Sequence, residues 1–321
     1  MEISLTQRLK MKADELGFSA IGIVRAEVLN EEGPRLHEWL TRGYQASMRW
    51  LERDAEKRVD VTKVLPNVKS VICVALNYYT PSHHANSPAI GKISRYAWGD
   101  DYHLVVTKRL EKLYEFITSE IPGVTGKMYV DTGPVMEKVW AARAGIGWVG
   151  KHTNLITKKF GSWVFLGEIL IDAELEYDTP MLDSCGTCRA CLDACPTQAI
   201  VQPYVLDANK CISYLTIEHR SELPKEIASN FQNWIYGCDI CQDVCPWNRF
   251  QKETEEPAFH PREENLAPPL KELAGISQEE FSRRFKGSPI KRTKHSGLTR
   301  NAKTVLESFE NNKHLMNNNK L

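Results

Sequence analysis

Between residues 185 and 245 the chain carries eight cysteines in two sets, and any fold must bring them to bear on something. The first set is Cys185, Cys188, Cys191 and Cys195, spaced C-x2-C-x2-C-x3-C and followed by Pro196. The second is Cys211, then Cys238, Cys241 and Cys245, the last three spaced C-x2-C-x3-C and followed by Pro246. A disulfide framework is expected of small chains in oxidising compartments, and 321 residues without a secretory signal argue against it. Paired C-x2-C units also hold structural zinc, four ligands to an ion. Zinc gives no reason for a third cysteine two residues further on, or for Cys-Pro closing both sets.

The first run has the spacing that holds [4Fe–4S] clusters in bacterial ferredoxins, where three close cysteines wrap one cubane and the fourth reaches to the other. On that pattern Cys185, Cys188, Cys191 and Cys245 ligate cluster one, and Cys195, Cys211, Cys238 and Cys241 ligate cluster two. Cys211 stands apart from its set by 26 residues, an insert that reads as mostly helical. Two clusters close together mean that electrons pass through the protein. The ninth cysteine, Cys73, lies in the apolar run VICVAL and reads as a buried strand residue.

The remainder predicts an α+β protein in three parts. Residues 1–180 form one unit: a helix over 5–17, a strand SAIGIV, a helix over 30–43, the strand VKSVICVAL, a loop over 78–92 and a helix over 102–120. A strand KMYVD, a helix opened by Gly133-Pro134 and the long strand SWVFLGEILID follow. Residues 181–250 form the cluster domain. Residues 251–268 read as a Pro- and Glu-rich linker, and 269–321 as helical, ending in an Asn-rich tail whose composition suggests disorder. Zero formal net charge gives no global pull toward nucleic acid or membrane. No apolar run approaches the ~18 residues of a membrane span, and reduced thiols with labile clusters fit a cytoplasmic protein.

Two local patterns need weighing. Gly145, Gly147 and Gly150 satisfy G-x-G-x-x-G, but a helix precedes them and a strand follows, the reverse of a dinucleotide site. They serve better as points where backbone turns or approaches a bulky ligand. From Arg283 to Lys303 the chain has eight Lys or Arg and no Asp or Glu. Such a single-sign stretch suggests a phosphate-backbone surface, with an ordinary basic helix end as the alternative.

The segments YVDTGPVMEKVWAARAGIGWVGKHTNLI, CGTCRACLDACPTQAI, YGCDICQDVCPWN and GSPIKRTKHSGLTRNA together resemble the epoxyqueuosine reductases, over about residues 5–310. The resemblance implies a nitroreductase-like cobalamin-binding domain similar to that of reductive dehalogenases, a ferredoxin-like double-cluster domain and a short HEAT-like helical segment. It implies an oxidoreductase with cobalamin and two [4Fe–4S] clusters. Its substrate is tRNA with a GUN anticodon, whose wobble-position epoxyqueuosine it reduces to queuosine. Removing the epoxide oxygen takes two electrons and two protons and releases water. By the resemblance Asp131 is the acid, and burial should raise its pKa enough to donate near neutral pH; otherwise Asp131 merely orders a turn. Arg58, His152, Asn154, Leu155, Leu166, Ser213 and Asp239 fall at corrin contacts by the same resemblance, and Lys291, Arg292, Lys294 and Arg300 at tRNA contacts. His152 is not assigned as a cobalt ligand.

The chain departs from some relatives in one respect: Ser94 stands where they carry a cysteine just before an R-x-x-W-G segment, here Arg95 to Gly99. The segment beginning Asp101-Tyr102-His103 lacks the glycine of the D-x-H-x-x-G corrinoid motif, which the resembled family does not use. A monomer fed by a low-potential donor such as ferredoxin or flavodoxin is expected. A ferredoxin-type carrier without corrinoid, or an RNA-binding protein with structural clusters, is the alternative. The long domain before the cysteines weighs against a simple carrier.

Overall fold

The computed structural model describes residues 3–318, with side chains to residue 308. The Asn-rich tail, expected to be disordered, is helical as far as Asn318, the end of the helix Lys294–Asn318; residues 319–321 lie outside the described range. The core of the first part is a four-stranded antiparallel sheet, in the order Ala20–Arg25, Ser70–Asn77, Val164–Ile171, Gly126–Tyr129. Ser70–Asn77 is buried along its whole length, because both faces of the sheet are covered. Ile72, Val74 and Leu76 pack with Leu9, Leu110 and Leu113 of the helices Leu5–Glu15 and Tyr102–Glu120. The alternate residues Val71, Cys73 and Ala75 pack with Trp140 and Ala141 of the helix Glu137–Arg143. Period-two alternation thus hides inside a continuous apolar run. Cys73 is a core residue, as expected.

Helix starts follow their caps. Ser4 and Gln7 form a reciprocal capping box, and Asp101 accepts the His103 N–H to open Tyr102–Glu120. The helix predicted from Gly133-Pro134 begins later, at Glu137. Likewise the strand predicted through Asp131 ends at Tyr129, because Asp131 has a φ of 58° and leaves the extended region.

The cluster region and the C-terminal part share one core. Trp234, Tyr236, Leu215 and Ile212 pack with Leu270, Phe281, Phe285, Leu298 and Ala302. The insert after Cys211 is less helical than expected. Its helices Ile212–Ile217 and Lys225–Ala228 are short, and Trp234–Tyr236 is a strand paired with Lys92–Ile93. Aromatic and β-branched residues before Gly237 suit a strand edge better than a helix.

Residues 251–268 are no free linker. Asn77 donates to the Lys252 carbonyl at 2.8 Å, Arg109 pairs with Glu256, and Phe259 and Asn265 are buried. Polar composition concealed a strap held by backbone hydrogen bonds. Beyond it, Leu270–Gly275 packs against the long helix Lys294–Asn318.

Candidate active site and cluster centres

The cysteines are grouped in space in a way that is compatible with crossed ligation. A cavity of about 430 Å³ is lined by all four of Cys195, Cys211, Cys238 and Cys241. Burial raises the Cys191 thiol to about 11, with Cys245, Cys185 and Cys188 adding to the effect. Each group therefore draws a member from the other run. The arrangement fits two [4Fe–4S] clusters. Cys188 is exposed, so the first group reaches the surface, while burial pushes Cys241 and Cys238 of the second group up.

The second group opens toward a larger cavity of about 1500 Å³, and the two share Tyr102, Asp131, Glu137, Cys211 and Ser213. This exceeds the ~300–1,000 Å³ of ordinary small-ligand pockets and suits a large cofactor with a substrate beside it. One wall comes from the turn after Tyr129. Asp131 lies 60% exposed to the cavity, held at both ends. Its backbone N–H donates to Glu137, which fixes the left-handed turn. The Tyr102 hydroxyl donates to its Oδ2 at 2.8 Å, and His103 Nε2 stands 3.4 Å from the same oxygen. On its other side His103 Nδ1 lies 2.7 Å from Asp101 Oδ1.

These contacts reverse the expected shift of Asp131. Desolvation by the surrounding cavity walls pushes its carboxyl up, but hydrogen bonds from His103 and Tyr102, with the charges of His103 and Lys138, outweigh it and hold the group below the ordinary value. His103 shows the complement: burial works against its charge, but Asp101 and Asp131 raise it to about 9. Beneath them, burial and then Asp131 push Glu137 up to about 7. Glu168, wholly buried on the central strand, is pushed up by burial and by Glu137.

Most residues expected at the corrin line these cavities. His152, Asn154, Leu155, Leu166 and Ser213 line the smaller one, and Arg58 the larger. Arg58 donates to the Gly133 carbonyl at 3.5 Å, steadying the Asp131 turn. His152 is buried; its Nδ1 accepts the Asn154 N–H at 3.1 Å, so Nε2 carries the proton. Nε2 has no partner, and a protonated nitrogen offers no lone pair to a metal. An orphaned donor beside an oversized cavity fits a group rich in amide acceptors, such as a corrinoid.

Two expectations are corrected. Asp239 does not line either cavity: fully buried, it accepts hydrogen bonds from the Ser94 hydroxyl and the Arg95 N–H. The Ser94 hydroxyl is thus occupied with the carboxylate of Asp239. Arg300 is no free cation, since it donates to the carbonyls of His219, Ser221 and Leu215. Of the remaining basic residues, Lys291 and Arg292 stand at the large cavity and Lys294 is exposed. Arg292 also pairs with Glu218 at 2.7 Å and lies over the Trp50 ring.

Sequence reasoning missed Tyr102, His103 and Glu137. The Asp-Tyr-His triplet was noticed only as a failed motif, and its meaning depends on Asp131 folding back onto it. The rejected dinucleotide motif stays rejected: Gly145, at φ 74°, ends a helix, and a Cβ on Gly147 would lie 2.1 Å from the Ile156 carbonyl oxygen.

Comparisons with known proteins point to one family. The family described as "Epoxyqueuosine reductase QueG, DUF1730" matches residues 58–132, and "4Fe-4S double cluster binding domain" matches residues 184–248. An epoxyqueuosine reductase of Synechocystis sp. is 51% identical, over 87% of this chain and 96% of its own length. That of Escherichia coli K12 is 41% identical, over 94% and 80%. A crystal structure of epoxyqueuosine reductase with a tRNA-Tyr epoxyqueuosine-modified stem loop is 36% identical, with a TM-score of 0.89 over 95% of this chain and 81% of that one.

Proposed function

This chain belongs to the epoxyqueuosine reductases, and on that premise we propose that it reduces epoxyqueuosine to queuosine at the wobble position of tRNA, using two [4Fe–4S] clusters and cobalamin. The observation that carries the reading is the meeting of Asp131, Cys211 and Ser213 on walls shared by the two cavities. It puts a proton-handling group and an electron source beside one large space. The clusters deliver electrons singly, and a reduced corrinoid supplies a centre able to open a strained C–O bond.

His152, Asn154, Leu155, Leu166, Ser213 and Arg58 are proposed to hold the corrinoid. Asp131 is proposed to hand a proton to the departing oxygen, with Tyr102 orienting the carboxylate. Lys138 donates to the Thr153 carbonyl and to Asn154 Oδ1, bracing the corrin-side loop against the Asp131 turn. Lys291, Arg292 and Lys294 are proposed to meet tRNA phosphates, and GUN anticodons to be the substrates. The exposure of Cys188 favours electron entry at cluster one, from a ferredoxin- or flavodoxin-like donor. No helix among the described residues is long and apolar enough to cross a membrane, which is compatible with the proposed cytoplasmic monomer.

The test is anaerobic reconstitution with iron, sulfide and cobalamin, followed by turnover of an epoxyqueuosine-bearing stem loop. Co-eluting corrinoid, and conversion that is lost in Asp131→Ala with cofactors retained, are expected. A protein that binds no corrinoid would overturn the reading.

A further inference from the structure

We propose that His103, oriented by Asp101, reloads Asp131 with protons from solvent, so that one carboxylate serves both proton deliveries of a turnover. This deepens the proposed reaction and rests on it.

The need arises from stoichiometry. Deoxygenation breaks both C–O bonds of the epoxide and forms a C=C bond. The reductant supplies two electrons, and the one oxygen takes two protons and leaves as water. A single carboxyl holds one proton. Asp131 is moreover ionised at rest, because Tyr102 and His103 both favour its anion. A proton put on such a carboxylate is weakly held and readily passed on, and once substrate and cofactor fill the cavity to which Asp131 is 60% exposed, its replacement must come from the protein side.

His103 is placed to provide it. Its Nε2 lies 3.4 Å from Asp131 Oδ2, and its Nδ1 lies 2.7 Å from Asp101 Oδ1. Asp101 also accepts the His103 backbone N–H at 3.1 Å, as cap of the helix, so imidazole and helix start share one anchor. The ring stacks on Tyr102 at 4.1 Å, which fixes its plane. With 31% of its side chain exposed, His103 keeps a path to water. The groups acting directly on it are the carboxylates of Asp101 and Asp131. Arg58, Glu137, Lys138 and Arg292 act on the Asp131 side of the pair. Both carboxylates favour imidazolium, which therefore stays charged through neutral pH, to about 9. Asp101 is a positioning residue that acts through His103.

The experiment uses the reconstituted holoenzyme and an epoxyqueuosine stem loop, with turnover followed from pH 6 to 10. The wild type is expected to lose activity on an alkaline limb near pH 9. His103→Gln should slow turnover at least tenfold, and its alkaline limb should vanish or move by more than one pH unit. Added imidazole should restore part of the rate in His103→Ala. Independently of turnover, NMR titration of the oxidised protein should find one imidazole near 9, absent in His103→Gln and lowered in Asp101→Asn. A His103→Gln enzyme with unchanged pH profile, or slowed equally at every pH without imidazole rescue, would sink the relay while leaving the epoxyqueuosine reading intact. A wild type inert on the stem loop would instead remove the reading beneath it.

Discussion

The carboxylate of Asp239, between Cys238 and Cys241 in the chain, accepts the backbone N–H of Arg95 at 2.8 Å, from 144 residues earlier. The same carboxylate takes the Ser94 hydroxyl, and Arg95 in turn donates to the carbonyls of Thr80 and Ser82. The cysteine-bearing loop is therefore clasped to the segment Ser94–Arg95 through one buried acid.

Asp239→Ala should leave the Arg95 N–H and the Ser94 hydroxyl buried without partners, at about 1–3 kcal/mol each. A lower melting temperature and faster iron loss are expected in the reconstituted protein. Asp239→Asn should fall between the two, because an amide oxygen still accepts one bond. Unchanged melting in Asp239→Ala would remove the clasp.

The proposed crossed ligation would make each fourth cysteine report on the opposite run. Cys245→Ser should damage the cluster held by Cys185, Cys188 and Cys191, and Cys195→Ser the one held by Cys211, Cys238 and Cys241. Iron analysis with EPR of the reduced protein should find a different surviving cluster in each variant. Loss of the same cluster in both would contradict the assignment.

Glu137 imposes a pH dependence on stability. Burial and Asp131 raise its folded-state pKa to about 7, above the ordinary value of 4.5, so folding favours the protonated form. That contribution is complete below about pH 4.5 and is lost as pH rises through about 7, on the order of 3 kcal/mol over the window. Burial lowers His152 to about 4, which gives the opposite slope over the same window, so the Glu137 part is read as a difference. The melting temperature of the wild type relative to Glu137→Gln should fall between pH 4.5 and 6.5, below the range in which the His103 contribution is lost. A difference that rises over this interval would refute the sign.

The basic C-terminal residues should divide into two kinds. Lys291→Ala is expected to weaken stem-loop binding and to lower the salt slope by about 1, as for one lost phosphate contact. Arg300→Ala should lower the melting temperature, by about 1–3 kcal/mol in stability, and leave the salt slope unchanged, because its donors go to carbonyls. Fluorescence titration over a salt series separates the two.

The cysteine spacing already marked the double-cluster region, because ligand geometry is local and repeats along the chain. The central sheet was legible from the run VICVAL and the helices flanking it. What the sequence hid depended on distant partners. Asp131 was expected to be a raised-pKa acid, and its shift reverses only because Tyr102 and His103 arrive from a helix 29 residues earlier. Residues 251–268 read as linker because their polar side chains conceal Phe259 and Asn265, which are buried against the first domain. The single-sign run misled at Arg283, Arg284 and Arg300: Glu280 and Glu272 pair with the first two, and backbone carbonyls take the third.

The core shared by the cluster region and the C-terminal helices has a consequence for iron supply. Cys211 and Cys238 pack on the same apolar cluster as Leu298 and Ala302. The helix beginning at Lys294 thus rests on the same side chains that are proposed to hold iron, and a protein emptied of its clusters would be expected to lose the seat of that helix together with the path of its electrons.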